Sequence, residues 1–336
     1  MTRTKIAALI IMPLLIFLIS LFLGRLLIDP LTLIKVLCSK VFFFIPMEKT
    51  WSDAVEIVVL RIRLPRAVMA MMVGAGLSIS GAAFQGMFNN PLVSPYLLGV
   101  SSGAGFGAAL AILMDRGAAS IQFSSFLFGT LAVLLTYCIS RVYKTTPLLM
   151  LVLSGIVVSS LFMSFISLIK FVADPEEKLP TIVFWIMGSF GGVRLEDIII
   201  TGPPIIIGIM GLLFVRWRIN LMSMGDREAR AMGTKVELLK VIIIICTTMI
   251  SAAAVSVCGI IGWVGLVIPH ICRMWVGPDH KVLLPTTIAV GACYLLIIDN
   301  FARTMTSSEI PLGILTAIIG APFFAYLLRR SKGGWF

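Results

Sequence analysis

RIRLPRAVMAMMVGAGLSISGAAFQGMFNNPLVSPYLLGVSSGAGFG, the stretch from Arg61 to Gly107, decides the architecture. Arg61, Arg63 and Arg66 open it, an uncharged run from Ala67 to Phe88 follows, and Asn89-Asn90-Pro91 breaks the run before a second one starts. Small residues recur at every fourth position: Ala70, Gly74, Ser78, Ala82 and Gly86, then Gly99, Gly103, Gly107 and Ala111. On a helix that spacing makes one smooth stripe, which lets backbones approach closely within a membrane. Bundle packing is the plain reading of the stripe; lining a passage, with Ser78 and Gly103 on it, is the alternative. Packing does not account for the arginines at the entrance.

Outside this stretch the composition sets the class. Of 336 residues, 59% are hydrophobic and 13% charged, and the mean hydropathy is +1.06. That is an integral membrane protein. A formal charge of +11 suggests nucleic acid in a soluble chain, but here membrane topology is tested first, and no nucleic-acid partner is expected. The six cysteines form no CxxC spacing, and His270 and His280 lack a nearby ligand set, so no disulfide framework and no metal site is expected.

Taken in order, ten apolar runs approach membrane-crossing length: Ile6–Leu23, Leu64–Phe84, Tyr96–Met114, Ile121–Ile139, Leu148–Ile169, Ile198–Val215, Leu238–Cys258, Ile260–Met274, Leu283–Asn300 and Leu312–Leu328. The expected fold is an all-α bundle of ten transmembrane helices forming one domain over residues 1–336. Gly262, Gly265 and Pro269 punctuate the short eighth run, which reads as a broken helix buried in protein.

An even number of spans puts both termini on one side. With both termini cytoplasmic, fifteen of the 27 Lys and Arg residues fall inside and twelve outside, a weak positive-inside bias. Seven of the twelve sit in the first outer loop and its edge: Arg25, Lys35, Lys40, Lys49, Arg61, Arg63 and Arg66. An acidic partner met from outside explains that concentration. Snorkelling to lipid phosphates explains it equally well on charge alone.

The longest inner loop, about residues 216–240, reads RWRINLMSMGDREARAMGTKVELLK from Arg216, with Gly225 and Gly233 bracketing a helix of one to two turns. Leu221, Met222, Met224 and Met232 supply an adaptable apolar surface. It suits a partner's groove or the headgroup layer. The chain lacks any Gly-Lys dipeptide, so it carries no P-loop and cannot hydrolyse ATP by that route. Midplane carboxylates of the kind that ion-coupled carriers use are nearly absent, which points to an external energy source. No catalytic constellation can be assembled within the spans.

RLPR (Arg63–Arg66), the run Val73–Gly105, WIMGSFGGV (Trp185–Val193), MGDREARAMG (Met224–Gly233), GWVGLVIPHICR (Gly262–Arg273), DHKVLLP (Asp279–Pro285) and SEIPLGILTAIIGAPFF (Ser308–Phe324) together resemble the FecCD family, the permeases of type II ABC importers. The resemblance implies a multi-pass inner-membrane homodimer that moves an iron-siderophore, haem or cobalamin, with a metal oxyanion such as molybdate as the alternative. Two cytoplasmic ATPase subunits would use ATP and Mg, an outer substrate-binding protein would deliver cargo, and the chain itself would bind no cofactor and perform no bond chemistry. It further implies docking of the binding protein on Arg63, Arg66 and Arg303, with Glu309 as a structural partner. Coupling to the ATPase would use Gly225, Asp226, Ala229, Arg230, Met232 and Gly233, and an inner gate would lie near Thr145 and Thr146. On this reading, reversing Arg63 and Arg66 to Glu abolishes stimulation of ATP hydrolysis while assembly stays intact, and a bulky charge at Ala229 uncouples the ATPase. A self-sufficient secondary carrier is the competing class, recognised by transport without ATP.

Overall fold

The computed structural model describes residues 3–24, 26, 28–41, 49–141 and 145–330. Arg25, Lys144 and Lys332, which entered the charge count, lie outside these residues, as do the side chains of Arg3, Lys5, Lys40 and Arg330. The described residues form an all-helical chain: α1 (Arg3–Phe22), α2 (Pro30–Val41), α3 (Asp53–Ile57), α4 (Leu64–Phe88), α5 (Val100–Leu113), α6 (Ala118–Ser140), α7 (Leu148–Val172), α8 (Lys178–Met187), α9 (Leu195–Met222), α10 (Asp226–Ala231), α11 (Val236–Cys258), α12 (Val264–Val276), α13 (His280–Thr304) and α14 (Leu312–Arg330). Each of the ten apolar runs coincides with one of these helices.

Among the described residues, six helices are long and apolar enough to cross a membrane: Asp53–Phe88, α6, α7, α9, α11 and α13. In their most apolar windows α4, α11 and α13 are 83%, 72% and 61% buried, against 33% for α6, α7 and α9. The first three therefore form the centre of the bundle and the others its outer wall. On that wall Phe171 and Phe214 are each 86% exposed, the behaviour of a surface whose solvent is apolar.

The stripe of small residues explains the centre. α4 and α13 run antiparallel, and a Cβ on Gly74 would collide with the carbonyl of Gly291, while one on Gly291 would collide with the hydroxyl of Ser78. Gly81 meets the backbone of Gly265 on α12, and Gly103 and Gly107 meet the backbone of Phe128 and Ser124 on α6. Close backbone approach lets dispersion contacts, the main attraction between helices in lipid, act over the whole crossing. Replacing Gly74 by Leu is expected to destabilise the fold by about 1–3 kcal/mol through overpacking, read as an earlier thermal midpoint of the purified protein in detergent.

One feature goes beyond the expectation and one agrees with it. Ahead of the second apolar run, residues 53–63 are helical: Ser52 caps α3, its side chain accepting from the Val55 amide, and a π-helical segment, Val58–Arg63, joins α3 to α4. These continuous helical turns extend to 36 residues, Asp53–Phe88. The eighth run is indeed broken. Only Val264–Val276 is helical, and Trp263 before it has φ 68°, an unusual backbone for a bulky residue. Its non-helical backbone is supported from within, since the Tyr96 hydroxyl donates to the Ile261 carbonyl at 2.8 Å, and just before it the Ser189 amide donates to the carbonyl of Cys258 at the end of α11 at 2.9 Å.

Candidate functional sites at the two ends of the bundle

Antiparallel packing of α4 and α13 gives the bundle two chemically distinct ends. One gathers the start of α4, the end of α13 and the end of α1. Arg66, in the first turn of α4, grips Asp299 of α13 through Nε (3.0 and 3.1 Å) and Nη2 (2.9 Å). Its Nη1 reaches Glu309 Oε1 at 2.6 Å. Asp299 is 1% exposed, so this fork-to-carboxylate pair has left water and relies on its geometry. Arg63 donates to the carbonyls of Leu21 (2.8 Å), Phe22 (3.2 Å) and Leu26 (2.5 Å). The α1 C-terminus leaves carbonyls without helical partners and carries partial negative charge, which a guanidinium satisfies. Arg303 donates to the Ser20 carbonyl at 2.5 Å and to Asn300 Oδ1 at 2.6 Å.

The three arginines predicted for docking are thus brought to one end, but not onto its surface. Arg63, Arg66 and Arg303 are 4%, 5% and 9% exposed, because each guanidinium is occupied by acceptors of its own chain. Arg61 and Glu309 are exposed there. Glu309, which the resemblance implied as a structural partner, bonds Arg66 there.

At the opposite end, α9 runs into α10, the helix expected between the two glycines. Gly225 has φ 115° and Gly233 φ 79°, a backbone that a side chain would strain, so the two glycines fold α10 back between α9 and α11. Met224 and Met232 are 59% and 60% exposed, giving this end its apolar surface. Ala229 is the exception among the expected coupling residues: it is fully buried and packs into the core beneath α10. A bulky charge there would disrupt the fold rather than test a contact, because the helix turns that methyl inward. The outward positions are Arg227, Glu228 and Arg230.

Asp226 bonds Lys240 Nζ at 2.6 Å and Arg230 meets Glu237 Oε1 at 3.2 Å. In the charge count Lys240 is one inner basic residue among fifteen, and Glu237 has no part in it. The signal was present in VELLK, a lysine one turn inside an apolar run with a glutamate three residues before it. At the same end, Asn220 donates to Asp279 at 2.7 Å; that bond, with the Lys281 amide, holds the Asp279 carboxyl below its ordinary range.

Thr146, near the expected gate, is 2% exposed and Thr145 is exposed. Ser78 and Gly103, which the stripe offered for packing or for lining a passage, sit in the α4–α13 and α5–α6 crossings, where close packing needs small residues. Among the described residues no group of three His, Cys, Asp or Glu side chains is arranged to hold a metal ion.

The sequence matches the model of the FecCD transport family over residues 11–330. It is 44% identical over 277 residues to the molybdate import system permease protein MolB of Haemophilus influenzae, covering 82% of each chain. To the cobalamin import system permease protein BtuC of Halobacterium salinarum it is 38% identical over 288 residues, covering 85% of this chain and 77% of the relative. A solved inward-facing structure of a metal-chelate type ABC transporter superposes with a TM-score of 0.86 at 39% identity, covering 98% of this chain and all of that one.

Proposed function

Because this multi-pass membrane chain belongs to the FecCD transport family and is thus an ABC importer permease, we propose that it forms the homodimeric pathway of a binding-protein-dependent importer for a metal chelate. Ten helices per subunit cross the inner membrane with both termini in the cytoplasm. Two separate ATPase subunits hydrolyse ATP, with Mg, against the α10 end, and the chain itself performs no bond chemistry. Access alternates as the ATPases close and move the inner loops. The observation that carries this reading is α10, a short helix held between Gly225 and Gly233 that offers Met224 and Met232 outward.

The binding protein meets the arginine end. Its contacts are to the exposed Arg61 and Glu309, while the buried Arg63, Arg66 and Arg303 fix the ends of α1, α4 and α13 that form that surface. Thr145 and Thr146 belong to the inner gate. A metal oxyanion is the second reading for the cargo, favoured by the 44% identity to a molybdate import permease.

The test is reconstitution of the chain with its ATPase and binding-protein partners in liposomes, with a ferric siderophore, cobalamin and molybdate as separate probes. ATP-dependent accumulation of one probe, lost without the binding protein, is the expected result. Accumulation without ATPase or ATP would identify a secondary carrier and overturn the reading. In the same complex Met232→Glu is expected to weaken capture of the ATPase roughly tenfold, measured by co-purification across a dilution series.

A further inference from the structure

Two neighbouring residues of α11, Glu237 and Lys240, each make one bond to α10 and one to the peptide of Thr146. Lys240 Nζ donates to Asp226 Oδ2 at 2.6 Å and to the Thr146 carbonyl at 3.1 Å. Glu237 accepts from Arg230 Nη2 at 3.2 Å on one oxygen and from the Thr146 amide at 3.1 Å on the other. Thr146 is therefore held at both its N–H and its C=O by one turn of α11, and α10 is held near both its ends by the same two side chains. Lys240 is 1% exposed. A lysine is seldom buried so fully, since moving an ammonium out of water is costly and only good partners offset the cost.

From this geometry we infer that Glu237 and Lys240 are positioning residues that tie α10 to the segment entering α7, so that displacement of α10 is passed to Thr146 and Pro147. Three features support a transmitting role beyond stability. The bonds converge on a backbone peptide, so they constrain the path of the chain and not merely one rotamer. That peptide immediately precedes Pro147, where the following ring restricts the residue to extended conformations; a pull on Thr146 is therefore passed on to α7 instead of being absorbed by rotation. Finally, α7 is one of the long outer-wall helices, so a small shift at its first turn is carried along a rigid rod of 25 residues. Each clamp residue serves both attachments at once, which makes the two elements move as one body. Coupling between distinct sites needs such a shared, physically connected element.

The inference rests on the importer reading, and the experiment separates the two. Permease carrying Lys240→Met, Glu237→Gln or Lys240→Arg is reconstituted with the ATPase and binding protein, and substrate imported per ATP hydrolysed is measured beside the thermal midpoint of the complex. Lys240→Met is expected to lower import per ATP about tenfold, Glu237→Gln to lower it less because a carboxamide oxygen still accepts from Thr146, and Lys240→Arg to restore part of it. A purely structural role would lower the thermal midpoint, hydrolysis and import together and leave their ratio at the wild-type value, and that result overturns the clamp. Failure of Lys240→Met to assemble, with Glu237→Gln assembled and at the wild-type ratio, overturns it as well. Absence of ATP-dependent import by the wild-type complex would remove the importer reading and the clamp with it.

Discussion

Replacing Arg66 by Ala is expected to cost about 3–5 kcal/mol of stability, since it leaves Asp299 in a buried site with only the long 3.9 Å contact to Arg303 Nε. The carboxylate has no route to water, being 1% exposed, and its strongest contacts all come from Arg66. Glu309 suffers less, because more than a third of its side chain reaches solvent. Denaturant melting in detergent reads the loss. The double variant Arg66→Met with Asp299→Leu is expected to recover part of it, because the buried carboxylate leaves together with its main partner, while Arg303 loses its 3.9 Å contact to Asp299. An Arg66→Ala protein that melts with wild type would show that the pair is solvated and the account of this end wrong. The same geometry corrects the sequence-based expectation for charge reversal. Arg66→Glu would set a third carboxylate beside Asp299 and Glu309, so loss of stimulated ATP hydrolysis in that variant would report misfolding, and assembly would not stay intact.

Removal of the Arg63 side chain is expected to loosen α1 from the bundle at a cost of roughly 2–4 kcal/mol, the range for losing several hydrogen bonds to a charged donor. Its three acceptors are carbonyls of Leu21, Phe22 and Leu26, at the point where α1 ends and its last peptide groups need donors. Hydrogen exchange resolved along the chain is the informative measurement. Arg63→Ala should raise exchange in α1 and spare α11, whereas equal protection of α1 in both proteins would mean that packing alone holds it.

Much of the bundle is legible without coordinates because the membrane narrows the choices. Backbone groups in hydrocarbon must be satisfied internally, so an apolar run of sufficient length becomes a helix; each of the ten runs contains a helix, and six of the described helices reach spanning length. The four-residue spacing from Ala70 onward foretold close crossings, and Gly262, Gly265 and Pro269 foretold the broken α12. Short helices were harder. The helical turns from Asp53 to Arg63 and α8 lack the length that makes an apolar run decisive, and they depend on a Ser52 cap or on packing against neighbours.

For the candidate sites the division is sharper. Residue type and order were enough to gather Arg63, Arg66, Arg303 and Glu309 at one end and to frame α10 between Gly225 and Gly233, because glycine alone tolerates those backbone angles without strain. Whether a given arginine faces outward or inward was not in the sequence, since a guanidinium serves a partner protein or its own chain's carbonyls with the same chemistry. Only the tertiary structure, by bringing Asp299 and the end of α1 within hydrogen-bond reach, decided that all three turn inward. The same holds for Ala229, whose direction on α10 depends on how the helix lies against its neighbours, and for Glu237 and Lys240, which meet Thr146 from more than ninety residues away in the chain. Covalent order and local propensity act over a few residues; contacts over such separations exist only once the helices have packed.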